Sequence, residues 1–544
     1  MRLAVALRCA PLLAALVACN AIFGIRAGKA GGGGAGGDAG GGGGAGGGGG
    51  AAPVCDGSNA PSPDGSTPTT VTRGGGSGEE TARAFARRAD GQLLVAGTYD
   101  ADDAIFAGNP LPYGAGANEG ADVFVAAYGP NGAPAWAIGL TGDDLQHPSA
   151  LAVDGSNHAL VAGYFMGTLD TVPVLASDTS LAADALDGFV VKLDPDGTVA
   201  WQRRFGGPAN EVALGVATDS NGDVVVVGVG KLDSNIFPAA PPAVTTAFGC
   251  GDHQATLDEG FVFTVKLSGS DGSCLWDRFD AVETGFANYW NWTHGVAVAV
   301  TPDDHVVVVG GASGSTNNFG QGPLDAHGGS DVFVLETDAD GHYLWASSYG
   351  DAEPQAADHV AVDPCGDLVL SGWFHGSVTI DGEVGTDPAN DPNDPKAFVA
   401  KLSRASTPAV PATATWLRAF VDVGEVTIEA LTVGADADVL LGGTLLSRLG
   451  SVGVDFGDGT LAPPPGPDGT EYREDGFLAR YRGDGSARSA RRFGTVAAEA
   501  IRGAVFGDPG TSYAAGWFEA PYDFGTGTPR TPNGRDAFLL RIDP

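Results

Sequence analysis

Basic side chains are scarce in this 544-residue chain: 29 Lys and Arg stand against 66 Asp and Glu, a formal net charge of −37. Phosphate binding needs clustered cations and no basic run occurs, so nucleic acid is excluded as an expected partner. The acidity reads as the solubility of an exposed surface in preference to divalent-cation binding. Cysteine is sparse as well, six residues with no CxxC, which removes the usual spacing of a zinc site. No HExxH, GxSxG or P-loop is present; VGVGKLDS (Val227 to Ser234) lacks the leading glycine and the Ser or Thr after Lys231. The nine histidines are scattered, and carboxylates are too numerous for any pair to stand out as acid and base. Beyond the N-terminal stretch, no run of 18 apolar residues is available to span a bilayer. No metal, cofactor or catalytic residue is expected on these grounds.

What the chain does contain is one phrase said seven times. Asp187 to Gly207 (DGFVVKLDPDGTVAWQRRFGG) and Asp331 to Gly350 (DVFVLETDADGHYLWASSYG) keep aromatic, acidic turn and tryptophan in one register. Short β-patterned runs repeating every 60 to 80 residues or so predict an all-β fold, a propeller of four-stranded antiparallel blades. A glycine marks each second strand: Gly97, Gly163, Gly228, Gly310, Gly372, Gly442 and Gly516. A phenylalanine marks each third strand: Phe124, Phe189, Phe261, Phe333, Phe398, Phe477 and Phe538. Fourth strands carry Trp136, Trp201, Trp276, Trp345 and Trp416, with Ser489 in the sixth unit. The seventh unit has no fourth strand after Phe538, whereas TTVTRGGGSGEETARAF (Thr69 to Phe85) has the glycine-rich ending that follows a fourth strand elsewhere. The expected body is therefore a seven-bladed ring over residues 69–544, closed by an N-terminal strand that completes the last blade.

GGSDVFV (Gly328 to Val334), GFVVKLDPDGTVAW (Gly188 to Trp201) and DFGDGTL (Asp455 to Leu461) resemble the propeller repeats of bacterial secreted and cell-surface proteins. That resemblance implies the fold and no particular activity. The chain departs from the pattern at Ser489 and in the third unit, with insertions from Lys231 to Glu259 and from Asp280 to His294. In SDGSCLW (Ser270 to Trp276) the spacing differs from the sialidase box, and the eight blades and adjacent cysteine pair of quinoprotein propellers are missing.

At the N-terminus, Leu16-Val17-Ala18-Cys19 after an apolar stretch resembles the lipobox of bacterial lipoproteins. The resemblance implies a signal peptide over 1–18, acylation (palmitate among the chains) at Cys19 and export; Asn20 in place of Asp implies the outer membrane. Residues 19–68 read as a lipid-anchored flexible tether, almost wholly Gly between 31 and 52 and joined by Pro61, Pro63 and Pro68. Four further cysteines, Cys55, Cys250, Cys274 and Cys365, allow three disulfide connectivities in an exported chain. Cys250 with Cys274 is expected because both belong to the third unit, which leaves Cys55 with Cys365.

The fourth-strand tryptophans recur in register, so they read as packing between blades, and the acidic DPDG-type turns read as hairpins. FANYWNWTHG (Phe286 to Gly295) has no such register. Its Tyr289, Trp290, Trp292 and His294, with Trp373, His375, Trp517 and Glu519 after later second strands, are the candidate ligand-binding residues. All fall where connections reach one face of the ring. Aromatic planes beside carboxylates suit a carbohydrate, peptide or protein ligand. The expectation is an envelope-anchored monomeric propeller for recognition or scaffolding, with no enzymatic role. The alternatives are an envelope enzyme, quinone-dependent or sugar-cleaving, at the channel mouth, or a structural surface-layer component.

Overall fold

The computed structural model describes residues 67–543, except 115–119, 173–180, 183–185, 208–209, 232–242, 257–259, 283–295, 314–318, 321, 323, 326, 389–393, 406, 408–409, 422–424, 448–452, 462–472, 495–496 and 509. No helix among the described residues is long and apolar enough to cross a membrane. Seven antiparallel sheets follow one another along the chain. Blade 2 is representative, running Gln146–Val153, Ala159–Phe165, Asp187–Leu193 and Val199–Phe205 from the inside outward. Its second and third strands are short apolar runs that lie between neighbouring blades, which is why nearly every residue in them is buried. The fourth strand, at the rim, is only partly covered. Each first strand packs against that of the next blade, and the seventh packs against the first, so the ring is closed.

The two ends of the chain also meet in one sheet, joined by backbone hydrogen bonds. Blade 7 takes Glu499–Phe506, Ser512–Phe518 and Asp536–Asp543 from the C-terminal end and Thr67–Gly74 from the N-terminal end. Thr67–Gly74 pairs with residues 537–543, with Arg73 opposite Phe538. Blade 1 departs from the four-stranded plan: Thr168–Val172 and Leu181–Ala182, from a loop of blade 2, add two strands to its outer edge.

The marker glycines have a common cause. Each lies opposite a phenylalanine of the third strand: Gly97 and Phe124, Gly163 and Phe189, Gly310 and Phe333, Gly372 and Phe398, Gly516 and Phe538. In two blades the sequence markers are out of register. The partner of Gly228 is Phe263, not Phe261, and the partner of Phe477 is Gly443, not Gly442. Adjacent glycines or alternating phenylalanines look alike in one dimension, and only strand pairing separates them.

The glycine is needed because the first strand bulges beside it. The register shifts by one residue at Arg83, Ser149, Leu214, Asp358, Glu429 and Arg502 in six blades. Just before each bulge a first-strand carbonyl turns over the second strand, where a β-carbon on Gly97, Gly163, Gly228, Gly372, Gly443 or Gly516 would collide with it.

Candidate functional site

The most repeated polar residues are absorbed in holding blade to blade. Trp201 Nε1 donates to the Gly269 carbonyl of blade 3 at 3.2 Å, and Arg203 Nε donates to Gly272 at 2.8 Å. Trp276 reaches Ala339 of blade 4 at 3.0 Å, Trp136 reaches Pro195 at 3.1 Å and Trp416 reaches Gly483 at 3.0 Å. Each indole thus caps the acidic hairpin of the following blade, where the turn glycine needs positive φ and leaves room for the ring. Buried Lys192 completes the clasp: it pairs with Asp154 at 2.9 Å and donates to Gly269 at 2.8 Å. Lys266 does the same with Asp219 and Ala339. Blade 4 reverses the charges, with Glu336 at the lysine position bonded to Trp345 and to Arg404 of blade 5. These turns all lie on one face, and their chemistry is used up in the architecture.

The opposite face, here called upper, carries the second-to-third-strand loops, the links between blades and the candidate residues. Trp373 and His375 of blade 5 are half-buried with rings edge to face at 5.5 Å. Trp517 of blade 7 is only 5% exposed, because the Arg535 guanidinium lies 4.1 Å over its ring. Arg535 in turn bonds exposed Glu519 at 3.0 Å and approaches Glu79 at 3.5 Å. Trp517 and Glu519 therefore position one arginine, and the indole face is already occupied. Tyr289, Trp290, Trp292 and His294 lie outside the described residues, as do Cys19 and Cys55. Cys250 and Cys274 are joined, with Cα atoms 5.3 Å apart, which ties the turn of the inserted hairpin Ala243–Ala247 and Asp252–Thr256 to the start of the blade 3 fourth strand. Cys365 is also disulfide-bonded.

Several upper-face carboxyls are held near neutrality. Burial raises Glu80 to about 7 against the pull of the Gly76 amide, with Asp536 adding to the rise. Burial likewise raises Glu211 to about 7, opposed by a 2.7 Å bond from Thr246 Oγ1, and Asp122 to about 7, opposed by the Gly114 and Gly142 amides. They sit at the ends of first or third strands, where blade meets blade.

Sequence reasoning missed the bulge residues. Arg83, Glu429 and Arg502 come from blades 1, 6 and 7 and converge at the ring's axis, where Arg502 bonds Glu429. Arg83 feels Arg502, Glu429, Tyr164 and Arg535 electrostatically but makes no hydrogen bond or ion pair among the described residues, and its Nε is unsatisfied. Beside it His147 stacks on Tyr164 at 4.8 Å, its Nδ1 also without a partner. Burial and Arg83 together hold His147 well below the usual imidazole range, so its ring is neutral at physiological pH. The signal available in the sequence was a charge breaking an apolar inner strand, as in TARAF, TIEAL and AIRGA.

No family model matches the chain. An uncharacterized WD repeat-containing protein, L264, of Acanthamoeba polyphaga mimivirus is 24% identical over 215 residues, which are 36% of this chain and 15% of that protein. The chain thus matches a small part of that relative's length. Among solved structures, quinohemoprotein alcohol dehydrogenase from Comamonas testosteroni is 11% identical, covering 84% of this chain and 66% of its own, with TM-score 0.34. A protein of unknown function from Dyadobacter fermentans is 13% identical over 73% and 94% of the two chains, TM-score 0.35. Polysaccharide lyase Uly1 is 9% identical over 85% and 90%, TM-score 0.34. Similarity at this level carries no argument about chemistry; the seven blades rest on the strand pairing itself.

Proposed function

We propose that this chain is a recognition propeller, not an enzyme, whose ligand enters at the upper mouth of the central channel. One observation carries the reading. Most recurrent polar groups of the lower face bond from blade to blade, whereas at the channel Arg83 makes no hydrogen bond or ion pair among the described residues and His147 Nδ1 has no partner there. Buried or half-buried polar groups without partners are costly, and a site that exists to bind keeps them for its ligand. The Trp373 and His375 pair and the Arg535 group extend polar and aromatic surface around the mouth, suited to a carbohydrate, peptide or protein ligand. We further propose that the body is exported and tethered to the outer membrane through Cys19 as a monomer, a reading supported by the lipobox-like Leu16-Val17-Ala18-Cys19 and the glycine-rich stretch after it.

A glycan and peptide array probed with the full chain tests recognition. Selective binding that falls when Trp373 or Trp290 is replaced by Ala supports it, and an absence of any binder, with self-association instead, would favour a structural surface-layer role. Labelling with a radioactive fatty acid, lost in Cys19→Ser, tests the anchor.

A further inference from the structure

We infer that Arg83, with His147 and Tyr164, forms an anion site in the central channel that takes a carboxylate. This deepens the reading above by giving the ligand a chemical class. Arg83 sits at a bulge, the device by which a strand aims one side chain away from its ladder. Its guanidinium makes no hydrogen bond or ion pair among the described residues, and the two neighbouring arginines are already matched. Arg502 is held by Glu429, and Arg535 by Glu519. Arg535 also approaches Glu79 at 3.5 Å, so Arg83 is the guanidinium left to meet an incoming anion.

The remaining groups favour a carboxylate over a spherical anion. A guanidinium presents a planar fork that two carboxylate oxygens match. His147 is neutral and adds no charge, but its unsatisfied Nδ1 is available to a ligand polar group, and the half-buried Tyr164 stacked on it carries a hydroxyl that can donate to an oxygen. Arg83 remains protonated at neutral pH even though burial and Arg502 lower it to about 10. Arg83 and His147 come from the first strands of blades 1 and 2, and Tyr164 from the second strand of blade 2, so the site is carried on paired strands and not on loops.

The test is calorimetric titration of the full chain in detergent, at neutral pH, with sodium glucuronate, N-acetylglycine, glucose and inorganic phosphate. Binding of glucuronate alone identifies an acidic sugar as the source of the carboxylate, and binding of N-acetylglycine alone identifies a peptide terminus; either supports the site. At least one carboxylate should bind roughly tenfold more tightly than glucose or phosphate, and Arg83→Gln should weaken it by about tenfold or more. The same substitution removes an unpaired buried charge, so its melting temperature should rise, the opposite of a residue kept for structure. His147→Ala gives a second reading, a weakening of about threefold with the Arg83 charge intact. No preference for carboxylates over glucose, or undiminished affinity in Arg83→Gln, overturns the proposal. An array ligand still bound by Arg83→Gln would leave recognition at the mouth standing and remove this site alone.

Discussion

The indole of Trp201 in blade 2 lies against Gly272 in the hairpin of blade 3, where a β-carbon would come within 2.8 Å of the ring. The same relation joins Trp276 with Gly341 and Trp416 with Gly485. A tryptophan and a turn glycine from successive blades are therefore one interlocking part. This explains the lost tryptophan. Blade 7 has no hairpin between its third and fourth strands, because those come from opposite ends of the chain, so an indole at Ser489 would have nothing to cap. At the seam from blade 7 to blade 1, Thr72 takes over and donates to the Gly132 carbonyl at 3.2 Å.

Trp201→Ala should destabilise the ring by about 3 to 5 kcal/mol, as expected for a buried aromatic. Gly272→Ala should cost about 1 to 3 kcal/mol through positive φ and overlap with the indole. Because both break the same contact, the double variant should fall short of the sum, and denaturant melts of all four proteins measure that coupling.

Gly163→Ala places a methyl group against the His147 carbonyl, a backbone atom that cannot swing aside. A loss of about 3 kcal/mol or more is expected, larger than for Gly155→Ala, where nothing lies near the added carbon. Thermal melts of the two variants make the comparison.

Glu80, Glu211 and Asp122 are all raised to about 7 in the folded chain. Where a folded-state carboxyl titrates above its unfolded value, the folded state holds a proton that the unfolded state has released. Stability is then full below about 4.5 and is lost as pH rises towards 7. Each group contributes up to about 3 kcal/mol to this slope. The melting temperature should therefore be higher near pH 5 than near pH 8, by these three groups' share, and Glu80→Gln should flatten the difference.

Removing Thr67–Gly74 would expose the edge of Asp536–Asp543 and free Arg73 from Asp536, bonded at 2.6 Å. A chain beginning at Glu80 should melt far lower and aggregate more than one beginning at Ala60, since the loss exceeds the margin by which domains are stable. Equal melting points and solubility in light scattering would contradict ring closure by that strand.

The repeat by itself determined the blades, their number and the borrowed strand. Gly97, Phe124 and Trp136 have counterparts in most blades because backbone approach, cross-strand cover and blade contact recur around the ring, and local constraints repeated from blade to blade are visible in one dimension. Register inside a strand was not: Phe261 and Phe263 are equally apolar, and only pairing with Gly228 distinguishes them. The candidate site was legible in part, through aromatic residues placed on connections to one face. That Trp517 lies under Arg535 depends on how one loop of blade 7 folds back, and that Arg83 finds no ion-pair partner among the described residues while Arg502 pairs with Glu429 depends on side chains from blades 6, 7 and 1 meeting at the axis. Arg83 is more than 300 positions from Glu429 and Arg502, and only closure of the ring sets which charges face one another.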